Sequence, residues 1–248
     1  MGAKGRKVHK FQGEEGEKMT IEGLQKLTLL DYPGHTACTL FLGGCNFRCG
    51  YCHNYQLVTG RREALMEKEE FLSFINKRKG LLDGVCITGG EPLLHRDLKD
   101  LLKEIKAAGF AVKLDTNGMF PERLKEYAEE GLLDYVAMDI KNAPERYGET
   151  VRCKGMDFAP LEESIAFLKA GSLDYEFRTT VADGLHTEEE IYKIAKWIQG
   201  AKRYFLQQYK ESEQVPDRSL RSPSNQKMRE YLKIAKEIIP SAELRGVD

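Results

Sequence analysis

Short apolar segments alternate along the chain with stretches whose apolar residues recur at helical spacing. Apolar runs of about four to eight residues, bounded by glycine or polar residues, are typical of buried strands. Six strands are predicted on this basis: Ala37–Leu42, Gly84–Ile87, Ala111–Leu114, Tyr135–Ile140, Tyr175–Val181 and Arg203–Gln207. Because helical patterns separate these strands, we expect an α/β fold with one parallel sheet and helices packed outside it.

The intervening helices are delimited by the same pattern. Apolar residues from Leu94 to Ile105 fall on one helix face, and Gly109 is placed to end that helix. Thr187 and Glu190 have the spacing of a capping box at the start of another helix. A last helix is predicted from Ser224 to Ile238. Six strand–helix units are fewer than the eight of a closed barrel, so we expect an open (β/α)6 partial TIM barrel.

Length and charge limit the possible functions. The 248 residues suit one domain, and the formal net charge of −1 argues against a dedicated nucleic-acid binder. No apolar stretch approaches the roughly 20 residues that span a bilayer, so a membrane is not an expected partner either. Residues 1–18 are charged and glycine-rich, without the apolar region of a secretory signal. We expect a disordered leader at 1–18, a single domain at 19–248, Met19 as an alternative start, and a cytoplasmic location.

Chemically distinctive residues follow four of the predicted strands. They are the cysteine-rich segment after Gly43-Gly44, and the blocks Gly89-Gly90-Glu91-Pro92, Asp115-Thr116-Asn117-Gly118 and Asp139-Ile140-Lys141. Ligands of parallel α/β folds bind at the carboxyl ends of the strands. We therefore expect these four segments to converge on one site.

The cysteines are the strongest chemical signal. Of the six in the chain, Cys45, Cys49 and Cys52 are crowded into one segment with the spacing C-x3-C-x2-C. Without a secretory signal, such crowding favours metal ligation over disulfides. Three thiolates can hold three irons of one cubane cluster and leave the fourth iron open to another ligand. Cys38 and Cys86 lie inside predicted strands, and we expect both to be small buried side chains.

Other interpretations of the cysteine segment remain open at this point. The three cysteines and His53 could ligate zinc, although the adjacent Cys52 and His53 would be strained around one tetrahedral ion. Cys49 to His53 also has the C-x-x-C-H spacing of covalent haem attachment, which usually implies export. A thioredoxin-like pair of Cys49 and Cys52 leaves Cys45 unexplained. Purely structural cysteines are the fourth alternative.

The cysteine segment, with the aromatic Tyr51 before its last cysteine, resembles the signature of the radical S-adenosylmethionine superfamily. Gly89-Gly90-Glu91-Pro92 looks like the methionine-binding turn of that superfamily, and the likeness extends from about Gly23 to Gln208. The resemblance implies one 4Fe–4S cluster on the three cysteines. It also implies reductive cleavage of S-adenosyl-L-methionine to methionine and a 5′-deoxyadenosyl radical. A glycine pair lets the backbone approach the ligand's amino group, and Glu91 can accept a charge-assisted bond from it.

A second resemblance, to a smaller group of proteins, implies a more specific function. Leu29-Leu30-Asp31-Tyr32-Pro33-Gly34 and the strand-end blocks are similar to glycyl-radical-enzyme activating enzymes, and closest to those of anaerobic ribonucleoside-triphosphate reductase. The resemblance implies an oxidoreductase that makes a glycyl radical on a partner enzyme, with flavodoxin or ferredoxin as electron donor and anaerobic operation. The residues it implies around the cluster and S-adenosylmethionine are Cys45, Cys49, Cys52, Tyr51, His53, Gly89, Gly90, Glu91, Asp115, Thr116, Asp139, Ile140, Lys141 and Arg178.

Two alternative functions are weighed against this one. The first is a radical S-adenosylmethionine enzyme with a small-molecule substrate, and the second is a non-catalytic iron–sulfur or zinc protein. The chain also departs from the pyruvate formate-lyase activating type, which has a histidine after its sixth strand. Here the matching stretch is Gln207-Gln208-Tyr209.

Overall fold

A computed structural model describes residues 19–59 and 64–247, so the predicted leader at 1–18 lies outside the described residues. The described part contains one eight-stranded sheet, in which the strands lie side by side in chain order. The strands are β1 Ile21–Thr28, β2 Ala37–Leu42, β3 Gly84–Gly89, β4 Ala111–Thr116, β5 Tyr135–Asp139, β6 Asp174–Val181, β7 Tyr204–Gln208 and β8 Ala242–Arg245.

Helices connect most of these strands. In the described part they are α1 Tyr55–Thr59, α2 Lys68–Asn76, α3 Leu98–Ala107, α4 Pro121–Glu129, α5 Pro144–Thr150, α6 Ala159–Ala170, α7 Glu188–Trp197 and α8 Asn225–Ile238. A short 3₁₀ helix, Pro92–Leu94, lies between β3 and α3. No described helix combines the length and the apolar character that a transmembrane span requires.

The sheet is open and mainly parallel. β1 pairs with β2 in antiparallel fashion, and every later neighbour from β2 to β8 is parallel. β1 and β8 are the two edges of the sheet, so it does not close. The expectation of an open partial TIM barrel is confirmed, and its six predicted strands correspond to β2–β7.

The two edge strands are additions to the predicted fold. In β1 the apolar residues Ile21, Leu24 and Leu27 recur at every third position instead of alternating. The register between β1 and β2 shifts twice, which is how a strand accommodates such a pattern. β8 has four residues and only two apolar side chains, so its sequence gives almost no periodic signal.

The helix boundaries follow the predicted signals closely. Leu98 and Ile105 are fully buried on one face of α3, and Gly109 follows that helix with a φ of 94°. The capping box of Thr187 and Glu190 forms at the start of α7 and is confirmed. The helix predicted from Ser224 to Ile238 is α8, which begins at Asn225 with Ser224 as its cap.

Alternation along the strands separates an apolar layer from a polar interior. In β4, Val112 and Leu114 are fully buried in the apolar core. Lys113 and Asp115 project from the opposite face, because successive side chains of a strand point to opposite sides. Lys113 and Asp115 form an ion pair there. The inner face of the sheet therefore carries charge, and this charge leads to the carboxyl ends of the strands.

Candidate functional site

A cavity of about 330 Å³ opens at the carboxyl ends of the strands. All but two of the predicted site residues line it: Cys45, Cys49, Tyr51, Cys52, His53, Gly89, Gly90, Asp115, Thr116, Asp139, Lys141 and Arg178. The predicted convergence of the four strand-end segments is therefore present in the structure. The two that do not line the cavity are Glu91 and Ile140.

Close backbone contacts join the cysteine segment to the glycine turn after β3. The amide of Gly90 donates to the carbonyl oxygen of Leu42 at 2.9 Å, and the amide of Glu91 donates to that of Gly44 at 2.8 Å. A Cβ atom on Gly90 would lie 1.8 Å from the carbonyl oxygen of Gly44. Glycine is required at this position because the two chain segments are in contact.

The cysteines of this segment are free thiols. Burial raises the pKa of the Cys45 thiol to about 12 and that of Cys49 to about 11. Both are therefore protonated near neutral pH, and metal binding must displace their protons. Among the described residues, no three His, Cys, Asp or Glu side chains converge as ligands of a single metal ion.

His53 points toward the chain that follows β7. Its Nε2 lies 2.6 Å from the carbonyl oxygen of Lys210, and its ring lies 5.2 Å from that of Tyr209. Of the three residues that replace the family histidine, Gln207 lines the cavity. Gln208 is buried and donates to the carbonyl oxygen of Pro223. The side chain at the cavity wall in this stretch is thus an amide.

A continuous chain of charges runs from the barrel interior to the cavity. Lys113 pairs with Asp115, whose Oδ2 also accepts from Nη1 of Arg178 at 3.1 Å. Nε of Arg178 donates to Oδ1 of Asp139 at 2.9 Å. The other oxygen of Asp139 accepts from Nζ of Lys141 at 2.9 Å. Arg178 is therefore the bridge between the two carboxylates.

These pairs keep both carboxylates ionised. Burial by itself would raise the pKa of Asp139, but Arg178 and Lys141 outweigh burial and lower it. For Asp115, likewise, Arg178 and Lys113 outweigh burial and lower the pKa of the carboxyl group. A third carboxylate, Asp31, also lines the cavity, where Lys141 and Arg178 are the cationic side chains. These two cations are the groups through which the described wall can meet an anionic group of a ligand, such as a carboxylate.

Glu91 connects its own turn to the loop after β4 through hydrogen bonds. Its Oε1 accepts from the Leu93 amide at 3.0 Å and from Oγ1 of Thr116 at 2.8 Å, and its Oε2 accepts from the Asn117 amide at 2.6 Å. Burial raises the pKa of Glu91 to about 7, against the opposing effect of these hydrogen bonds. Both oxygens are thus engaged within the protein. The bond from Glu91 to a ligand's ammonium group stays a prediction.

Ile140 has a structural environment. Its side chain is fully buried. Its amide donates to the carbonyl oxygen of Arg178 at 2.8 Å, and its carbonyl accepts from Oγ1 of Thr179 at 2.8 Å. Ile140 therefore fixes β5 against β6 at the point where Asp139 and Lys141 enter the cavity.

Several polar residues at the site were not among the predicted site residues. Lys113 and Asn117 are two of them, although Asn117 belongs to a segment that was predicted to reach the site. Lys113 lies in a segment that reads as an apolar strand, yet it is two residues before Asp115 and so shares its face. That two-residue spacing is the signal that could have identified it. Asn117 lines the cavity, and its Nδ2 donates to Oδ1 of Asn46 at 2.7 Å. No pattern in the sequence indicates this contact between loops.

Comparisons with known proteins agree with this geometry. The sequence profile of the Radical SAM superfamily matches residues 39–198. The chain is 32% identical over 239 residues to a Methanocaldococcus jannaschii protein provisionally named a glycyl-radical enzyme activating enzyme, covering 93% of this chain and 98% of the relative. It is 30% identical over 149 residues to the 7-carboxy-7-deazaguanine synthase of Koribacter versatilis, covering 59% of this chain and 62% of that one.

A solved structure supports the same fold. Streptococcus suis SuiB bound to S-adenosylmethionine is similar with a TM-score of 0.64 and 14% sequence identity. The similarity covers 82% of this chain and 48% of SuiB, so this chain spans about half of that protein.

Proposed function

This chain belongs to the radical SAM superfamily, and we propose that it cleaves S-adenosylmethionine in order to generate a glycyl radical on a partner enzyme. The superfamily uses a 4Fe–4S cluster and S-adenosylmethionine. When bound, the reduced cluster supplies the electron that cleaves S-adenosylmethionine to methionine and a 5′-deoxyadenosyl radical. The protein's own contribution is to bind and orient these groups and to exclude water from them.

The residues around the cavity fit the cluster. Cys45, Cys49 and Cys52 offer three free thiols on one wall, in a spacing that supplies one sulfur to each of three irons. Two buried hydrogen-bond donors in the same segment, on Asn46 and Tyr51, have no partner among the described residues. Buried donors are nearly always paired, so these two favour an additional acceptor at this place.

The other walls fit S-adenosylmethionine. The turn at Gly89 and Gly90 lines the cavity beside the cysteine segment, and a Cβ on either glycine would collide with the backbone of Leu42 or Gly44. Lys141 and Arg178 are donors suited to the methionyl carboxylate, and Asp139 suits its ammonium group. Thr116 and Gln207 add polar groups to the same wall. We assign binding and orientation, rather than proton transfer, to all of these residues.

One observation favours a protein as the second substrate. The side chains at the tip of the β1–β2 hairpin are apolar and exposed, with Leu29 71% and Leu30 87% accessible. The next residue, Asp31, lines the cavity. The cavity itself is at the small end of the range of about 300–1,000 Å³ for ligand pockets, which leaves little space for a second small substrate. This apolar lip leads into β2 at Ala37 and so lies at the amino ends of the strands, where Asp31 connects it to the cavity. It suits a partner that inserts a glycine-bearing loop from that side.

The proposal also specifies the partner enzyme. The Leu29-to-Gly34 block and the strand-end blocks resemble the activating proteins of anaerobic ribonucleoside-triphosphate reductase, so we propose that reductase as the partner. Flavodoxin or ferredoxin is the proposed electron donor, and the anaerobic cytoplasm the proposed location. The Methanocaldococcus relative supports the broader activase function.

The test uses the reconstituted, reduced enzyme with S-adenosylmethionine and purified candidate glycyl radical enzymes. Electron paramagnetic resonance then measures the glycyl radical. The double variant Leu29→Ser/Leu30→Ser should lower the radical yield at limiting partner at least tenfold, since burying each leucine contributes about 1.5–3 kcal/mol. Formation of 5′-deoxyadenosine without partner should not change. Leu81→Ser, at another exposed leucine (66%) before β3, is the matched control.

Three results would contradict the proposal. An unchanged radical yield in the double variant would remove the apolar lip from the partner interface. Turnover of a metabolite with no partner protein would favour a small-molecule substrate, as in the deazaguanine synthase relative. Absence of 5′-deoxyadenosine with a zinc-loaded protein would favour the non-catalytic alternative.

A further inference from the structure

Two hydrogen-bond donors inside the cysteine segment are buried without a partner in the described structure. They are Nδ2 of Asn46, next to Cys45, and Oη of Tyr51, next to Cys52. Tyr51 is 4% exposed, so its hydroxyl has almost no contact with bulk solvent. Buried donors without an acceptor are rare because they cost free energy. Their position between the cluster ligands indicates that the acceptor arrives with the cluster.

The orientation of the Asn46 amide follows from its neighbours. Oδ1 of Asn117 accepts from the Met119 amide at 3.1 Å, which identifies the other terminal atom of Asn117 as its NH₂ group. That group donates to Asn46 at 2.7 Å, so the atom it meets must be Oδ1 of Asn46. The Nδ2 group of Asn46 is therefore the one left without an acceptor. The same Asn117 group lies 4.0 Å from Sγ of Cys45, which places this amide pair beside the cluster ligand.

The Tyr51 hydroxyl lies among groups of the same site. Tyr51 lines the cavity, and the groups that act on its hydroxyl electrostatically include Lys141, Cys49, Asp139 and Tyr147. Lys141 can only donate, and Tyr147 directs its own hydroxyl to the carbonyl oxygen of Asp139 at 3.5 Å. None of the described residues accepts a hydrogen bond from the Tyr51 hydroxyl. Cys49 is a proposed cluster ligand, and an iron-bound cysteine sulfur accepts more strongly than a free thiol.

We propose that Asn46 and Tyr51 are positioning residues that donate hydrogen bonds to the sulfur atoms of the bound cluster and thereby raise its reduction potential. The inference rests on the proposed cluster site but not on the identity of the partner. Reduction adds one electron and no proton, so the reduced cluster is more negative and gains more from a donor than the oxidised one. Hydrogen bonds to the sulfurs are a known determinant of such potentials.

The test is an electron paramagnetic resonance titration with dithionite on anaerobically reconstituted protein, without S-adenosylmethionine or partner. Tyr51→Phe should lower the midpoint potential, and Asn46→Ala/Tyr51→Phe should lower it further. A donor that favours the reduced form tenfold corresponds to about 59 mV for one electron. Tyr147→Phe is the matched control, since it removes a nearby buried hydroxyl that already has an acceptor, and its potential should not change. Iron and sulfide content must match wild type in each sample.

A second measurement separates this role from a merely structural one. In cluster-free protein Tyr51→Phe removes an unsatisfied hydroxyl, so its melting temperature should equal or exceed that of wild type. Tyr147→Phe should melt lower, because it loses a hydrogen bond. An unchanged potential in fully loaded Tyr51→Phe, or an equal fall in Tyr147→Phe, would overturn the proposal. A double variant no lower than Tyr51→Phe would overturn the role of Asn46. Since no partner is present, a failed glycyl-radical assay leaves these results unaffected.

Discussion

Replacement of Arg178 by methionine should strongly destabilise the protein. The side chain is 14% exposed and bridges Asp115 and Asp139 at 3.1 and 2.9 Å. Removing one member of a buried ion pair costs about 3–5 kcal/mol, because the remaining charge is left without its partner. Each carboxylate keeps a lysine, so we expect the lower end of that range, about 3 kcal/mol. Arg152→Met, which removes an exposed pair with Asp217, should cost at most about 1 kcal/mol.

The pH dependence of the stability provides a second, independent test of the Arg178 bridge. The folded-state pKa values of Asp115 and Asp139 lie below the usual carboxyl value. Such groups contribute stability that is fully present above their unfolded pKa of about 3.9 and is lost as the pH falls toward the folded value. In Arg178→Met the folded pKa values rise. The difference in stability between wild type and variant should therefore be largest at pH 7 and narrow below about pH 5.

The assay is urea unfolding of cluster-free protein, followed by circular dichroism at pH 7 and at about pH 3. Wild type, Arg178→Met and Arg152→Met are compared at equal concentration. A loss of less than about 1 kcal/mol of stability in Arg178→Met would refute the reasoning, because exposed ion pairs contribute no more than that. A loss that did not depend on pH would indicate lost packing rather than lost charge.

Three further changes test other parts of the site. Gly90→Ala should lower the free energy of unfolding by about 1–3 kcal/mol, because its Cβ would lie 1.8 Å from the Gly44 carbonyl oxygen. The variant should also lose S-adenosylmethionine binding, measured by calorimetry. Wild-type affinity would contradict the close contact. Cys86→Ala should keep full iron content whereas Cys52→Ala should lose it, and equal iron loss in both would refute the ligand assignment. Burial lowers the pKa of His186, so below about pH 6.5 the unfolded chain binds a proton that the folded chain does not. The melting temperature should therefore fall between pH 7.5 and 5.5, and less so in His186→Gln.

The central part of the fold could be predicted from sequence because its signals are local. β2–β7 are short apolar runs bounded by glycine or polar residues, and each is found close to its predicted bounds. The four strand-end segments share one cavity because parallel strands end at the same edge of the sheet. The edge strand β1 could not be predicted, because its register shifts break the two-residue alternation by which a strand is identified in a sequence.

Two side chains of the site could not be placed from the sequence for a similar reason. The positions of Glu91 and Lys113 depend on contacts between loops and strands that are far apart in sequence. A carboxylate after two glycines reads as a ligand-binding group, yet Glu91 is enclosed by amides of its own turn and of the loop after β4. Lys113 reads as an interruption in an apolar strand, yet Asp115 and Cys86 surround it in the barrel interior. Only the packed structure distinguishes these environments.

The most direct test of the account is an anaerobic assay of radical chemistry. The protein is reconstituted with iron and sulfide, reduced, and mixed with S-adenosylmethionine, and 5′-deoxyadenosine is quantified for wild type and Cys45→Ala. We predict product from wild type and none from the variant. No product from either, with zinc bound in place of iron, would mean that the cysteine segment is a structural metal site and would contradict the central claim.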